Sequence, residues 1–566
     1  MTLNLKDLRT MSATTRIPLP AHLTVAWEQP HDEQLFWSLD RMHFPNPLSH
    51  VEDTVMRTGV QGMSYAFDTY DIPLSAHARR FWTYHYSAMA PLTASPEQLE
   101  EMARRSEEKL GAAMAQLGER WERDWLPEIQ EHLAYWEAFD LRGAAMPDLL
   151  DHLDETLVLL SRLWAIHFEI VLPSYLAISL FDEFYRDLFG AESAFAAYEL
   201  LQGLDNRTVD AGLALWRLSR EVLATPVVRR VIEETTDQDV IPALETFPEG
   251  HLFLVELYAY LAEFGRRGQM WGVSYPSWIE DPSPVIKNIR DYIAQPERDP
   301  AREQAELAVV REERVAAARR LLELYPAPVR EQFEFLLKAA QEGVVLSEDH
   351  GFWIDFAASH EVRRVFLELG RRFAEAGVID GADDIFHLTI DEIRATAEAF
   401  GAIDWRAQIA ARKAEIEFYR AVELPPAIGT LPPGPPPDNP IARAIGKFFG
   451  APAVQSEDPD VIAGAAGSPG LVTGRAKVVR SLAEAGKVTP GDILVAETTS
   501  PSWTPLFATV AAVVTDTGGI LSHCAVVARE YRIPAVVGTG FATNAIQDGD
   551  LIEVDGDRGI VRILGE

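Results

Sequence analysis

Residues 424–440 read LPPAIGTLPPGPPPDNP, and neither a helix nor a central strand runs through such a stretch. Proline fixes its own φ and gives up a backbone donor, so a run this dense in proline stays extended as a semi-rigid spacer. At about 3.1 Å per residue the segment reaches up to about 50 Å. The chain divides here, and its two sides carry different hydrophobic periods. From about 95 to 423 apolar residues recur at three- and four-residue steps. Ser95-Pro96-Glu97-Gln98 offers an N-cap, a proline at the first helical position and a capping-box glutamine. Leu99, Met102, Ser106, Leu110, Met114, Leu117, Trp121 and Trp125 then draw a mostly apolar stripe. Similar stripes cover 148–235, 251–270, 301–343 and 357–377, with no fixed repeat period of the kind that marks a solenoid. After about 464 short β-branched runs punctuated by glycine predict strands at 476–479, 493–497, 511–515, 535–537, 551–554 and 560–563. A helix fits over 521–531, and Asp555-Gly556-Asp557-Arg558-Gly559 joins the last two strands as a hairpin.

The expectation is a multidomain protein: a large, mainly α-helical N-terminal domain over 1–423, a proline-rich hinge over 424–463, and a compact C-terminal α/β domain over 464–566. A length of 566 residues fits about two to four domains. The most apolar stretch, 157–181, is interrupted by Arg162, His167, Glu169 and Pro173, and predicts a buried pair of helices, not a membrane span. A formal net charge of −35 repels phosphate backbones and anionic head groups, so neither a nucleic acid nor a membrane is an expected partner. The N-terminus has no apolar signal-peptide core. The single cysteine, Cys524, rules out an intramolecular disulfide and any multi-cysteine zinc site, and no metal ligands are assigned. A cytoplasmic protein is the expectation.

Residues 515–538, TDTGGILSHCAVVAREYRIPAVVG, carry the chemistry. A strand ends near Asp516, two glycines free the backbone, and a helix begins with His523 in its first turn. Unpaired first-turn amides and the helix dipole favour an anion there by about 0.3–1 kcal/mol. Thr517 and Ser522 add hydroxyls, Gly518 and Gly519 an open backbone, and neutral imidazole is a nucleophile near pH 7. Ala525 and Ala528 keep the helix slim against the sheet. The plain alternative is a capping or core histidine. A dyad of His523 with Cys524 is excluded, because neighbours on a helix point about 100° apart; Cys524 is a packing residue.

The whole string resembles the mobile, swivelling phosphohistidine domain of the phosphoenolpyruvate (PEP)-utilising enzymes, which include pyruvate phosphate dikinase, phosphoenolpyruvate synthase and rifamycin phosphotransferase. The matching elements are Thr517-Gly518-Gly519, Ser522-His523, the run from Ala525 to Glu530, and the run from Ile533 to Gly538. Upstream, Ser468-Pro469-Gly470, Gly474-Arg475-Ala476 and the run from Pro501 to Leu506 are similar to that family too. The resemblance implies that His523 is the phosphorylated histidine, with Thr517, Gly518, Gly519 and Ser522 about the phosphate. Phe264-Gly265-Arg266-Arg267 with the run from Pro276 to Pro282, and Gly377-Val378-Ile379 with the run from Asp383 to Thr389, resemble the middle domain of rifamycin phosphotransferase. Trp271-Gly272-Val273 replaces acidic residues expected there, so the acceptor need not be a rifamycin.

No glycine-rich phosphate loop between strands precedes the phosphohistidine region, and no barrel domain follows it. The resemblance then implies a separate ATP-grasp subunit holding ATP and Mg²⁺, as in phenylphosphate synthase, with no cofactor bound by this chain. The β-phosphoryl of ATP would pass to His523, with release of AMP and phosphate, and then to a hydroxyl of a small, phenolic acceptor. Arg267 is the candidate cation for the phosphoryl oxygens, its alternative a surface charge at a helix end. Glu348, His350 and Trp353, with Asp355 nearby, form a candidate acceptor pocket, their alternative a helix start with solvated acids. His167 and Glu169 either line the pocket or are buried structural polar groups. Two alternatives to the enzyme are a non-enzymatic phosphocarrier and a component of a rifamycin-type antibiotic phosphotransferase.

Overall fold

A computed structural model describes residues 15–565 except 191–192, 269, 400, 402, 433, 435–437 and 452–455. Two compact units emerge: Met1–Leu172 with Trp271–Tyr275 and Trp353–Pro437, and Pro173–Met270 with Pro276–Phe352 and Asp438–Glu566. The boundary does not follow the expected division at 423. Residues 173–270 and 276–352 of the helical region group with the C-terminal α/β part.

The first unit holds helices and a four-stranded antiparallel sheet that the sequence reading missed. Its strands are β1 (Phe36–Leu39), β2 (Leu74–Phe81), β3 (Tyr84–Pro91) and β4 (Ala427–Gly429), in the order β2-β3-β1-β4. Trp37, Phe81, Tyr86 and Ile428 are buried together on the sheet. The fourth strand corrects the expected spacer over 424–440: Trp37 pairs with Ile428 and Ser38 with Ala427. Proline is compatible with this because the strand lies at an edge and its neighbours need only carbonyls. Leu39 N donates to the Pro426 carbonyl at 3.0 Å and the Tyr86 hydroxyl to that of Pro425 at 2.8 Å. Further on, Asn439 caps a helix over Pro440–Phe449.

Ser95 and Gln98 form the reciprocal capping box expected of them, opening the helix Pro96–Met114. The apolar stretch over 157–181 is not a pair of helices. It lies inside one helix of 44 residues, Met146–Phe189, with Pro173 within it. Proline at 173 cannot donate to the carbonyl four residues back. The Tyr70 hydroxyl donates to that Glu169 carbonyl at 2.6 Å, so the helix continues without an orphaned acceptor. By length and composition this helix matches a membrane span, yet most of its apolar window is buried within the protein, as in a core helix.

In the second unit the α/β part is built on eight strands: β5 (Val461–Ala463), β6 (Ala465–Ser468), β7 (Leu471–Val479), β8 (Ile493–Ala496), β9 (Ala512–Thr515), β10 (Ala535–Val537), β11 (Leu551–Asp555) and β12 (Ile560–Gly565). Their order is β5-β12-β11-β7-β8-β9-β10-β6. The central four, β7 to β10, run parallel, and the outer pairings are antiparallel. Period-two alternation gives the sheet two buried faces. Leu494, Ala496 and Val513 face one core, Ile493, Val495 and Val514 the other. On the first face lies the helix His523–Glu530, with Ala525 and Ala528 fully buried against it. The fold is the expected one in class: a large helical region followed by a C-terminal α/β domain.

Candidate functional site

The strand β9 ends at Thr515, and the chain then turns through Thr517, Gly518 and Gly519 to reach the helix His523–Glu530. Asp516 anchors the turn, accepting from the Thr539 hydroxyl at 3.0 Å and the Thr543 amide at 3.2 Å. Three of the expected phosphate ligands shape this turn. The Thr517 amide and hydroxyl both donate to the Glu497 carbonyl, each at 3.0 Å. Gly518 adopts φ +96°, which favours glycine. Gly519 N donates to the Phe448 carbonyl at 2.8 Å, and a Cβ there would meet the Lys447 carbonyl at 2.2 Å. Close approach of the Pro440–Phe449 helix end is therefore what requires the second glycine. That helix is itself tied down by ion pairs of Lys447 with Asp182 at 2.8 Å and of Arg443 with Glu183 at 3.1 Å.

Ser522 occupies the N-cap position but makes no cap hydrogen bond, and its buried hydroxyl has no partner among the described residues. His523 follows with its side chain 10% exposed. Its Nδ1 lies 3.1 Å from Oε1 of Glu348, and its Nε2 lies 3.3 Å from the Thr504 hydroxyl. Glu348 is buried on the helix Ala327–His350, and its Oε2 accepts from the Thr208 hydroxyl at 2.8 Å. Burial opposes ionisation of Glu348, but the His523 imidazole and the Thr208 hydroxyl outweigh it and hold its pKa below the ordinary value. An ionised carboxylate can only accept, so Nδ1 is the ring atom that donates to Glu348, and Nε2, toward Thr504, is the atom left to act as nucleophile in the neutral ring. Glu348 is thus a partner of the histidine, not the helix-start acid of the plain reading: the helix containing it runs on through a π-helical stretch, Gly351–Ala358.

Arg267 is fully buried, not a surface charge. One Nη donates to the Arg207 carbonyl at 3.2 Å, and Nε has no partner among the described residues. Its guanidinium sits 5.5 Å from the Phe352 ring centre and 5.9 Å from that of Trp278. Burial lowers its pKa, with Tyr260 and Glu348 opposing. Sequence reasoning missed Thr208, which lies far from His523 in the chain and carries no motif of its own, and it missed the role of Thr504, although Thr504 sits in the family-like run from Pro501 to Leu506. Beside Glu348, Asp349 accepts from the Arg207 amide at 2.7 Å, and burial pushes its pKa up to about 6.

The other expected residues are placed differently. His350 is buried, and its Nδ1 lies 2.6 Å from the Leu346 carbonyl of its own helix. Trp353 is half-buried and belongs to the first unit, whereas Glu348 and His350 belong to the second. Glu169 is structural, bonded to Arg120, Arg162 and Trp125. In the first unit His167 pairs with Asp355 at 2.8 Å, and His43 with Asp40 at 2.9 Å. Burial resists ionisation of Asp40, yet His43 draws its pKa down to about 2. Cys524 lies in the sheet core, its thiol pushed up to about 12 by burial, as a packing residue should be.

Comparison with known proteins meets this geometry at both partners of the His523–Glu348 contact. Residues 488–559 match the family model described as PEP-utilising enzyme, mobile domain, and residues 167–348 match the rifampicin phosphotransferase fourth domain. Chondramide synthase cmdD of Chondromyces crocatus is 39% identical over 560 residues, 97% of this chain and 14% of that protein. Uncharacterized phosphotransferase YvkC of Bacillus subtilis is 31% identical over 70% of this chain and 47% of its own length. The rifampicin phosphotransferase of Streptomyces sviceus is 31% identical over 63% of this chain and 40% of its own length. The chain spans less than half the length of each of these relatives. With the mobile-domain match enclosing His523 and the fourth-domain match reaching Glu348, the chain carries a PEP-utilising enzyme mobile domain and resembles the rifampicin phosphotransferases.

Proposed function

We propose that this chain is the acceptor-side part of a phosphotransferase in which His523 relays a phosphoryl group to a hydroxyl of a small molecule. The observation that carries the reading is the arrangement of the imidazole: Nδ1 faces a buried carboxylate at 3.1 Å, which leaves Nε2 as the nucleophilic atom at the head of a helix. First-turn amides and the unpartnered Ser522 hydroxyl supply donors for a phosphoryl group on Nε2. Arg267, buried without a carboxylate partner, supplies positive charge on the helical side, where phosphoryl transfer needs charge stabilisation.

The donor in this reading is ATP held with Mg²⁺ by an ATP-grasp partner: its β-phosphoryl charges Nε2, water takes the γ-phosphoryl, and AMP and phosphate leave. The acceptor is a hydroxylated, aromatic small molecule held by the helical region. The fourth-domain match over 167–348 favours a second reading, in which the acceptor is of the rifampicin type and not a simple phenol. The test is to express the chain with an ATP-grasp partner and measure AMP and phosphorylated product across a panel of phenols and hydroxylated antibiotics. Turnover that disappears in His523→Ala supports the relay. Product formation at the parental rate in that variant contradicts it.

A further inference from the structure

Glu348 is a buried carboxylate whose one ion-pair partner among the described residues is His523, with no arginine or lysine bonded to it. A buried charge without a permanent counter-ion is costly, and a lone imidazole compensates it best when the ring is cationic. The Thr208 hydroxyl holds the second oxygen, so the carboxylate is aimed at the ring and not free to turn away. The other charged and titratable groups acting on this carboxylate or feeling its charge are His350, Asp349, Glu530 and Arg267. Of all these ionisable groups the His523 imidazole, at 3.1 Å, is the one hydrogen-bonded to it among the described residues.

We propose that Glu348, braced by Thr208, is a positioning residue that makes phosphorylated His523 a phosphoryl donor by keeping Nδ1 protonated. This rests on the relay reading above. With Nδ1–H retained, the Nε2–P bond breaks and its electron pair returns to Nε2, leaving neutral imidazole. The acceptor oxygen forms the new P–O bond, and the acceptor proton is released to solvent. Without the proton on Nδ1 the departing group is imidazolate, a far stronger base and a poorer leaving group. The carboxylate lies on the helix Ala327–His350, outside the α/β part, so it acts only where His523 meets the helical region. Phosphohistidine away from that contact keeps its ordinary lability.

The experiment uses the full chain, charged to completion with phosphoramidate, freed of excess reagent, and followed by ³¹P NMR as the phosphoryl group passes to water and to added phenol. His523→Ala sets the signal from other sites. Glu348→Gln is expected to slow discharge about 10- to 100-fold, the range of one hydrogen bond to a charged group. Its rate also falls off at a lower pH than the parent's, because Nδ1 loses its proton more easily. Glu348→Asp restores part of the rate, Thr208→Val gives an intermediate one, and in urea the differences vanish. Equal discharge rates and pH profiles for parent and Glu348→Gln overturn the proposal while leaving the relay intact. A parent that never takes a phosphoryl group at His523 overturns the relay itself, and the proposal with it.

Discussion

At the scale of single residues, the site separates side chains that hold the fold from those that do not. Ser522 sits at an N-cap position, where replacement by alanine commonly costs about 1 kcal/mol. Its hydroxyl makes no cap bond. Ser522→Ala is therefore expected to lower stability by less than about 0.5 kcal/mol in a denaturant melt, while slowing phosphorylation of His523. Arg267 makes the same point with a charge. Its guanidinium is buried with one hydrogen bond and no carboxylate, so Arg267→Met is expected to melt within about 1 kcal/mol of the parent. Product formation is expected to fall about 100-fold or more, the scale of losing one transition-state donor. The histidine was legible in the sequence because its turn, cap and helix are contiguous from Thr515 to Glu530. Its carboxylate partner was not, since Glu348 lies 175 residues away and nothing local marks it. Thr517 shows the converse: a hydroxyl beside two glycines suggests a phosphate ligand until its bond to the Glu497 carbonyl is seen.

Among the elements, the turn before His523 is shaped by a neighbour. Gly519 tolerates no side chain because the Lys447 carbonyl stands 2.2 Å from where its Cβ would be, and that carbonyl is backbone, unable to rotate away. Gly519→Ala is expected to cost about 1–3 kcal/mol, measured by urea melts, and to misplace His523 along with the helix it heads. The strand and helix types after 464 follow from period and glycine spacing, which local sequence carries. The strand Ala427–Gly429 does not, because an edge pairing in a proline-rich run depends on a partner at Phe36–Leu39. Likewise Pro173 looked like a helix break until the Tyr70 hydroxyl was found on the carbonyl it leaves unpaired.

For the molecule as a whole, the contact between the helix His523–Glu530 and the helical region is itself sensitive to pH. Glu530 accepts from the Gly203 amide at 3.1 Å, and burial pushes its pKa up to about 7. The raised value means that the folded state binds a proton more tightly than the unfolded chain does. Stability from this group is full below the ordinary glutamate range and is lost as pH rises through about 7. Asp349, raised to about 6, acts in the same direction. The second unit is expected to lose on the order of 2 kcal/mol between pH 5 and pH 8. Glu530→Gln should flatten that slope in urea melts run across the range, and an unchanged slope would assign the effect elsewhere. The central claim, that His523 carries the phosphoryl group, is tested most directly by mass spectrometry of the chain after incubation with ATP, Mg²⁺ and an ATP-grasp partner. The account predicts one added phosphoryl on the peptide containing His523, lost in acid and absent from His523→Ala. A phosphoryl group found on another residue, or none at all beside a partner that turns over ATP, would contradict it.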